Sequence, residues 1–128
     1  MVFYMEQLKI LVVDDETRMR KLVGDFLKKS GYDVIEAEDG DDAFRLFQLN
    51  KNDISLMILD IMMPGEDGIS VLKKLRSSPA TKSVPVIMVS AKGSEYDKIT
   101  GLDCGADDYI SKPFGLMELI SRIKAVLR

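Results

Sequence analysis

Short apolar segments rich in β-branched residues alternate five times with stretches whose apolar residues recur at helical spacing, and this alternation limits the chain to very few architectures. The apolar segments are Lys9–Val13, Tyr32–Ala37, Ile54–Leu59, Val84–Val89 and Tyr109–Ser111, each read as a strand. Between them, Met19, Leu22, Val23, Phe26 and Leu27 form one helix stripe; Ala43, Phe44 and Phe47 form a second; Ile69, Leu72 and Leu75 form a third. The last stripe is the clearest, with Leu116, Leu119, Ile120, Ile123, Val126 and Leu127 in line, whereas Tyr96, Ile99 and Leu102 make a sparse one flanked by Gly93 and Gly101. Gly31 and Gly40 punctuate helix ends. Parallel strands need crossover helices, and near-continuous apolar strands need cover on both faces. The expected fold is therefore α/β: a doubly wound, five-stranded parallel sheet.

In such sheets ligands bind beyond the carboxyl ends of the strands. Asp14 and Asp15 follow the first strand, Asp60 the third, Ser90 the fourth and Lys112 the fifth, so these residues are expected on one rim. Crowded carboxylates either raise a pKa or bind a hard cation, and Mg²⁺ suits a site with few protein oxygens. Asp60, after the most apolar strand and before the sharp Ile61-Met-Met-Pro-Gly65 loop, is placed as a nucleophile toward phosphorus. The charge on the resulting acyl phosphate would be met by the metal, the Lys112 ammonium and the Ser90 hydroxyl. Taken singly these residues have plainer uses. Asp15 ahead of Glu16-Thr17 suits a helix N-cap, a strand-end Ser a turn, and a Lys the solvent.

Composition removes other chemistries. Cys104 is the single cysteine and there is no histidine, which excludes an intrachain disulfide and cysteine or histidine zinc sites. The absence of histidine also excludes the chain as a phosphohistidine donor. No apolar run reaches the length of a membrane span, and Met1–Met5 is too short for a signal peptide, so a cytoplasmic location is expected. With 21 acidic and 18 basic residues intermingled for a net charge of −3, this segment carries no footprint for direct nucleic-acid contact.

Asp14-Asp15, Asp60-Ile-Met-Met-Pro-Gly65 with Asp67-Gly68, Val89-Ser90-Ala91 and Lys112-Pro113-Phe114 together resemble the response-regulator receiver family of two-component signalling, over nearly the whole chain from about Leu8. The resemblance implies the flavodoxin/CheY-like strand order 2-1-3-4-5 and phosphorylation of Asp60 by a sensor histidine kinase. It also implies Mg²⁺ held by Asp15, Asp60, the Met62 backbone carbonyl and, through water, Asp14. A cis peptide between Lys112 and Pro113 would aim the Lys112 amine at the phosphate. Ser90 and Tyr109 resemble the family's switch pair, in which Ser90 moves toward the phosphoryl oxygen and Tyr109 rotates inward. Met62 and Lys92 occupy positions that tune dephosphorylation in the family.

Gly105-Ala-Asp-Asp-Tyr109 and Arg122–Arg128 further resemble the winged-helix DNA-binding (OmpR/PhoB-like) subfamily, whose receivers dimerise through the fourth helix, fifth strand and fifth helix. That resemblance implies pairing of Lys98 with Glu118, Asp103 with Lys124, and Asp108 with Arg122 across a two-fold axis, although ordinary surface charge has the same composition. The chain reads as a single receiver domain, 1–128, with its core at 8–128 and residues 1–5 as an N-terminal extension or alternative start at Met5. A receiver belonging to a longer regulator, with DNA reached through a C-terminal domain, is preferred over a stand-alone regulator. An aspartate-nucleophile phosphohydrolase, the enzyme of similar chemistry, needs a general acid two residues beyond its nucleophile, where this chain has Met62.

Overall fold

The computed structural model describes residues 7–50, 53–91 and 95–128, apart from the Tyr96 side chain. Expectations resting on residues 1–5, Lys92, Gly93 and Tyr96's packing lie outside these residues. Strands and helices alternate as β1 (Lys9–Val13), α1 (Thr17–Lys29), β2 (Asp33–Ala37), α2 (Gly40–Leu49), β3 (Ile54–Asp60), α3 (Gly68–Ser77), β4 (Val86–Ala91), α4 (Glu95–Asp103), β5 (Asp108–Lys112) and α5 (Leu116–Leu127). The five strands form one parallel sheet in the order β2-β1-β3-β4-β5.

Side chains on successive strand residues point to opposite faces, so each apolar strand feeds two cores. Leu11, Val13, Met57, Leu59, Val86, Met88 and Tyr109 pack on one side with Ala43 and Phe47 of α2 and Val71, Leu72 and Leu75 of α3. Ile10, Val12, Leu56, Ile58, Ile87, Val89 and Ile110 pack on the other with Val23 and Leu27 of α1 and Leu119, Ile120 and Ile123 of α5. Each fully buried Leu, Ile or Val contributes about 1.5–3 kcal/mol, so these two layers dominate folding. Among the described residues, no helix is long and apolar enough to cross a membrane.

The strand boundaries move in a way that matters for the site. β3 runs on to Asp60, β4 starts at Val86 and reaches Ala91, and β5 reaches Lys112, so Asp60, Ser90 and Lys112 are held by the sheet instead of following it. Val84 and Pro85 precede β4: the Val84 amide donates to Thr81 in a turn, and Pro85 offers only its carbonyl, to Met57. Tyr32 closes α1, its amide donating to Leu27, and β2 begins after it. Two apolar stripes are less buried than their periodicity implies. Leu22 faces solvent, and so do Ile99 and Leu102 of α4, which instead turns the small Gly101 toward Met88 and Ile69.

One residue fastens the opposite end of the sheet. Arg76, near the end of α3, donates to the carbonyls of Val84 (2.7 Å), Lys82 (3.2 Å) and Gly105 (2.8 and 3.0 Å) and to Asp107 Oδ2 (3.2 Å). The same Asp107 oxygen accepts from the Val86 amide at 2.8 Å. Gly105, at φ +107, lies against the Arg76 side chain, where a Cβ would crowd the guanidinium.

Candidate functional site

Asp14 directly follows β1, and its backbone is tied on both sides. Its amide donates to the Ala37 carbonyl at 3.1 Å and its carbonyl accepts from Arg20 Nη1 at 2.8 Å. Its Oδ1 accepts from the Glu16 amide at 2.9 Å. Glu16, not Asp15, occupies the N-cap of α1, and it makes no side-chain cap bond. The plain reading of Asp15 as a helix cap is thus not what the fold does with it. Its exposed carboxylate instead joins Asp14 and Asp60, the three offering oxygens within 4.8 Å of one another.

Asp60 is the last residue of β3 and only 5% exposed, with Oδ1 accepting from the Met62 amide at 3.2 Å. The loop after it is pinned at its base: the Ile61 amide donates to Val89 and the Gly68 amide to the Ile61 carbonyl, both at 2.9 Å. Gly68 opens α3, capped by Asp67 through Ser70, and a Cβ on it would strike the Asp60 carbonyl and Ile61 Cα. Gly65 makes the sharp turn of the loop with φ +79. The approach of α3 to the Asp60 backbone therefore depends on glycine.

Lys112 ends β5, and the Lys112–Pro113 peptide is cis, as the family resemblance implied. Its Nζ lies 3.3 Å from Asp14 Oδ2 and 3.4 Å from Asp60 Oδ2, bridging the two buried acids. Burial pushes the Asp60 carboxyl up to about 6 and neighbouring Asp14 pushes the same way, against Lys112 and the Met62 amide. For Lys112 burial works downward, but Asp60 and Asp14 together outweigh it and raise the ammonium's pKa. Among the described residues, one lysine thus faces three carboxylates. The pocket is short of positive charge and rich in hard oxygen donors, which is what a small divalent cation requires.

An open depression of about 380 Å³ over this cluster is lined by Asp14, Asp15, Glu16, Asp60, Met62, Ala91 and Lys112. Met62 stands exposed at its mouth. Ser90 is buried on β4, where Val89 pairs with Asp60 in register and Ser90 with Ser111. Tyr109, expected to turn inward on switching, is already inward: it is 5% exposed, and its hydroxyl is buried with no hydrogen-bond partner among the described residues.

On the expected dimer face, Lys98, Asp103, Glu118 and Lys124 are exposed. Arg122, by contrast, is engaged within its own chain, 3.0 Å from Asp108 Oδ2 and 3.2 Å from Glu118 Oε1. The Asp108 hydrogen bonds lead in raising its pKa, over a smaller downward pull from burial.

Two residues at the site were not singled out from sequence. Arg20, besides holding the Asp14 carbonyl, is 3.1 Å from Glu36 Oε1 of β2. The signal that could have found them was Glu36, a charge set among Val34, Ile35 and Ala37. Arg20, one of several basic residues on α1, gave none.

Fold and rim together define a parallel α/β domain with an acidic, lysine-bridged pocket at the carboxyl ends of its strands. A sequence model described as the response regulator receiver domain matches residues 10–124, and the chain belongs to that family. Over 120 residues it is 47% identical to the phosphate regulon transcriptional regulatory protein PhoB of Escherichia coli K12, covering 94% of this chain and 52% of that protein. The PhoB of Klebsiella pneumoniae is 46% identical over the same coverage. The chain spans about half the length of these curated relatives. Among solved structures, a putative response regulator from Chloroflexus aurantiacus superposes with a TM-score of 0.89 at 35% identity, covering 95% of this chain and 98% of that one. Chemotaxis protein CheY4 of Vibrio cholerae gives 0.87 at 31% identity, covering 95% and 100%. The chain is thus a response-regulator receiver of two-component signalling, similar to the matching half of PhoB, and such domains are generally not enzymes. Receiver domains bind Mg²⁺ at an acidic pocket, which in this chain is the Asp14, Asp15 and Asp60 cluster.

Proposed function

We propose that this receiver accepts a phosphoryl group from a histidine kinase onto Asp60 and passes the signal through α4, β5 and α5. The observation that carries the proposal is the meeting of Asp14, Asp15 and Asp60 oxygens within 4.8 Å with one Lys112 ammonium between two of them. Asp14, Asp15, Asp60 and the Met62 carbonyl would hold Mg²⁺, which when bound supplies positive charge to the phosphoryl oxygens. An Asp60 carboxylate oxygen forms the new bond to phosphorus as the donor's phosphorus–nitrogen bond breaks, and the departing imidazole takes a proton. Lys112, released from sharing two carboxylates, offers its charge to the phosphoryl group, and the Ser90 hydroxyl donates from the neighbouring strand. Met62, with no titratable group at the pocket mouth, provides no general acid for turnover.

In this reading the buried position of Tyr109 is the inward one, and its hydroxyl, without a partner among the described residues, and the thinly packed α4 leave that surface easy to rearrange. Dimerisation would join Lys98 to Glu118 and Asp103 to Lys124, while Asp108–Arg122, already closed within one chain, would only exchange equivalent partners. Each exposed pair is worth about 0–1 kcal/mol, so the charges choose the partner more than they tighten the contact. Control of transcription through a C-terminal DNA-binding domain, in the cytoplasm, belongs to the same proposal.

Incubation with Mg²⁺ and acetyl phosphate tests it by intact mass and sedimentation. The expected result is a gain of one phosphoryl group that needs Mg²⁺ and is lost in Asp60→Ala, with a shift toward dimer. A wild type that gains no mass overturns the phospho-acceptor reading.

A further inference from the structure

Asp14 and Asp15 lie on the turn between β1 and α1, where a short loop has to aim two carboxylates at one point. A peptide unit is planar, so fixing its carbonyl also fixes the amide of the next residue. The carbonyl of Asp14 belongs to the unit that joins Asp14 to Asp15, and Arg20 Nη1 holds it at 2.8 Å. Arg20 is in turn held by Glu36 Oε1 at 3.1 Å, with its side chain only 12% exposed. Asp14's own amide is bound to Ala37, the next residue of the same strand. β2 therefore grips the Asp14 backbone twice, once directly and once through a guanidinium reaching across from α1.

We propose that Arg20, anchored by Glu36, is a positioning residue that orients the Asp14–Asp15 peptide and so the two carboxylates that receive the divalent cation. The inference rests on the receiver reading above and extends it to two side chains that touch neither the cation nor the phosphoryl group. Charge alone works in the opposite direction. A guanidinium beside a cation site repels the cation, and its removal, leaving Glu36 ionised, would strengthen binding. Positioning predicts weaker binding, so the sign of the change separates the two effects. Lys21 Nζ, 3.7 Å from Glu36 but largely exposed, lacks the two-pronged donor geometry to take Arg20's place.

Calorimetric titration with Mg²⁺ alone, on the wild type, Arg20→Gln, Arg20→Lys and Glu36→Gln, reads the effect without phosphorylation, and urea unfolding in EDTA records stability separately. Loss of a group that orients a metal ligand typically costs about tenfold or more in metal affinity. Arg20→Gln is expected to bind Mg²⁺ about tenfold more weakly; Arg20→Lys, which keeps the charge and one bond, recovers part of the loss, and Glu36→Gln falls between. An Arg20→Gln protein that is folded and binds Mg²⁺ as well as or better than wild type overturns the proposal, even if its urea midpoint is lower. Should Arg20→Gln not fold, unchanged affinity in both Arg20→Lys and Glu36→Gln overturns it instead. A wild type that binds no Mg²⁺ overturns the proposed Mg²⁺-dependent phospho-acceptor role and this inference with it, whereas normal wild-type binding with unaltered variants sinks the positioning role alone.

Discussion

Replacing Asp60 with Asn should stabilise the metal-free protein at neutral and alkaline pH. The Asp60 carboxyl is buried beside Asp14, and its pKa is pushed up from 3.8 to about 6. A carboxyl with a higher pKa in the fold than in the unfolded chain binds its proton more tightly in the fold. That contribution is complete below about pH 4 and is lost as pH rises through about 6. The gap is about two on the pH scale, and at about 1.4 kcal/mol each the ionised Asp60 costs the fold about 3 kcal/mol above pH 6. Asn keeps the shape, still accepts from the Met62 amide, leaves Lys112 to Asp14, and carries no charge to desolvate. Urea unfolding in EDTA should therefore show Asp60→Asn more stable by about 3 kcal/mol at pH 8, with the advantage shrinking toward zero near pH 4. By thermal melting, at about 3–5 °C per kcal/mol for a domain of this size, the gain is about 10 °C. Excess Mg²⁺ should narrow the difference, because the wild type alone recovers stability by binding the cation. A variant no more stable than wild type at pH 8 in EDTA, or one whose advantage does not fall on acidification, refutes the account of Asp60 as a strained, charge-crowded carboxylate.

Three further substitutions probe the framework around the pocket. Gly68→Ala places a Cβ on the Asp60 carbonyl and should cost about 1–3 kcal/mol by urea unfolding while slowing phosphorylation from acetyl phosphate; an unchanged midpoint would show that α3 does not press on Asp60. Tyr109→Phe removes a buried hydroxyl that has no partner among the described residues and should leave stability unchanged or raise it by about 1 kcal/mol, so a loss of about 1 kcal/mol or more would refute the view of that hydroxyl as unbonded. Arg76→Ala strips donors from three carbonyls and Asp107, and should cost about 3 kcal/mol yet leave Mg²⁺ affinity alone, as measured by unfolding and calorimetry; a large fall in affinity would mean that the far end of the sheet helps to set the pocket.

Much of the fold and the pocket is written locally. A strand that alternates between two apolar faces, such as Ile10-Leu-Val-Val13, declares its burial on both sides within a few residues. The residues at the strand ends, Asp14, Asp15, Asp60, Ser90 and Lys112, can be read because chain direction in a parallel sheet brings every such end to one rim. Strand order needed more than the residues alone: periodicity gives which segments are strands, and the order β2-β1-β3-β4-β5 came from the likeness to a family of known topology.

Other features depend on contacts between residues far apart in sequence, whose pairing leaves no periodic trace. The spacing could not say that Glu16 and not Asp15 would cap α1, because the choice turns on the Asp14 carbonyl being drawn to Arg20 and its amide to β2. Arg122 meets Asp108 within the chain because β5 and α5 pack side by side, so a charge pattern suggestive of contacts between copies is partly satisfied at home. Arg76 gathers carbonyls from two loops that are adjacent only once β4 and β5 have paired. The sequence by itself determined which chemistry stands at the rim, since residue type and strand-end position are local properties. The tertiary structure decided how those groups are aimed and how their charges balance, because orientation and desolvation exist only once distant segments have closed around them.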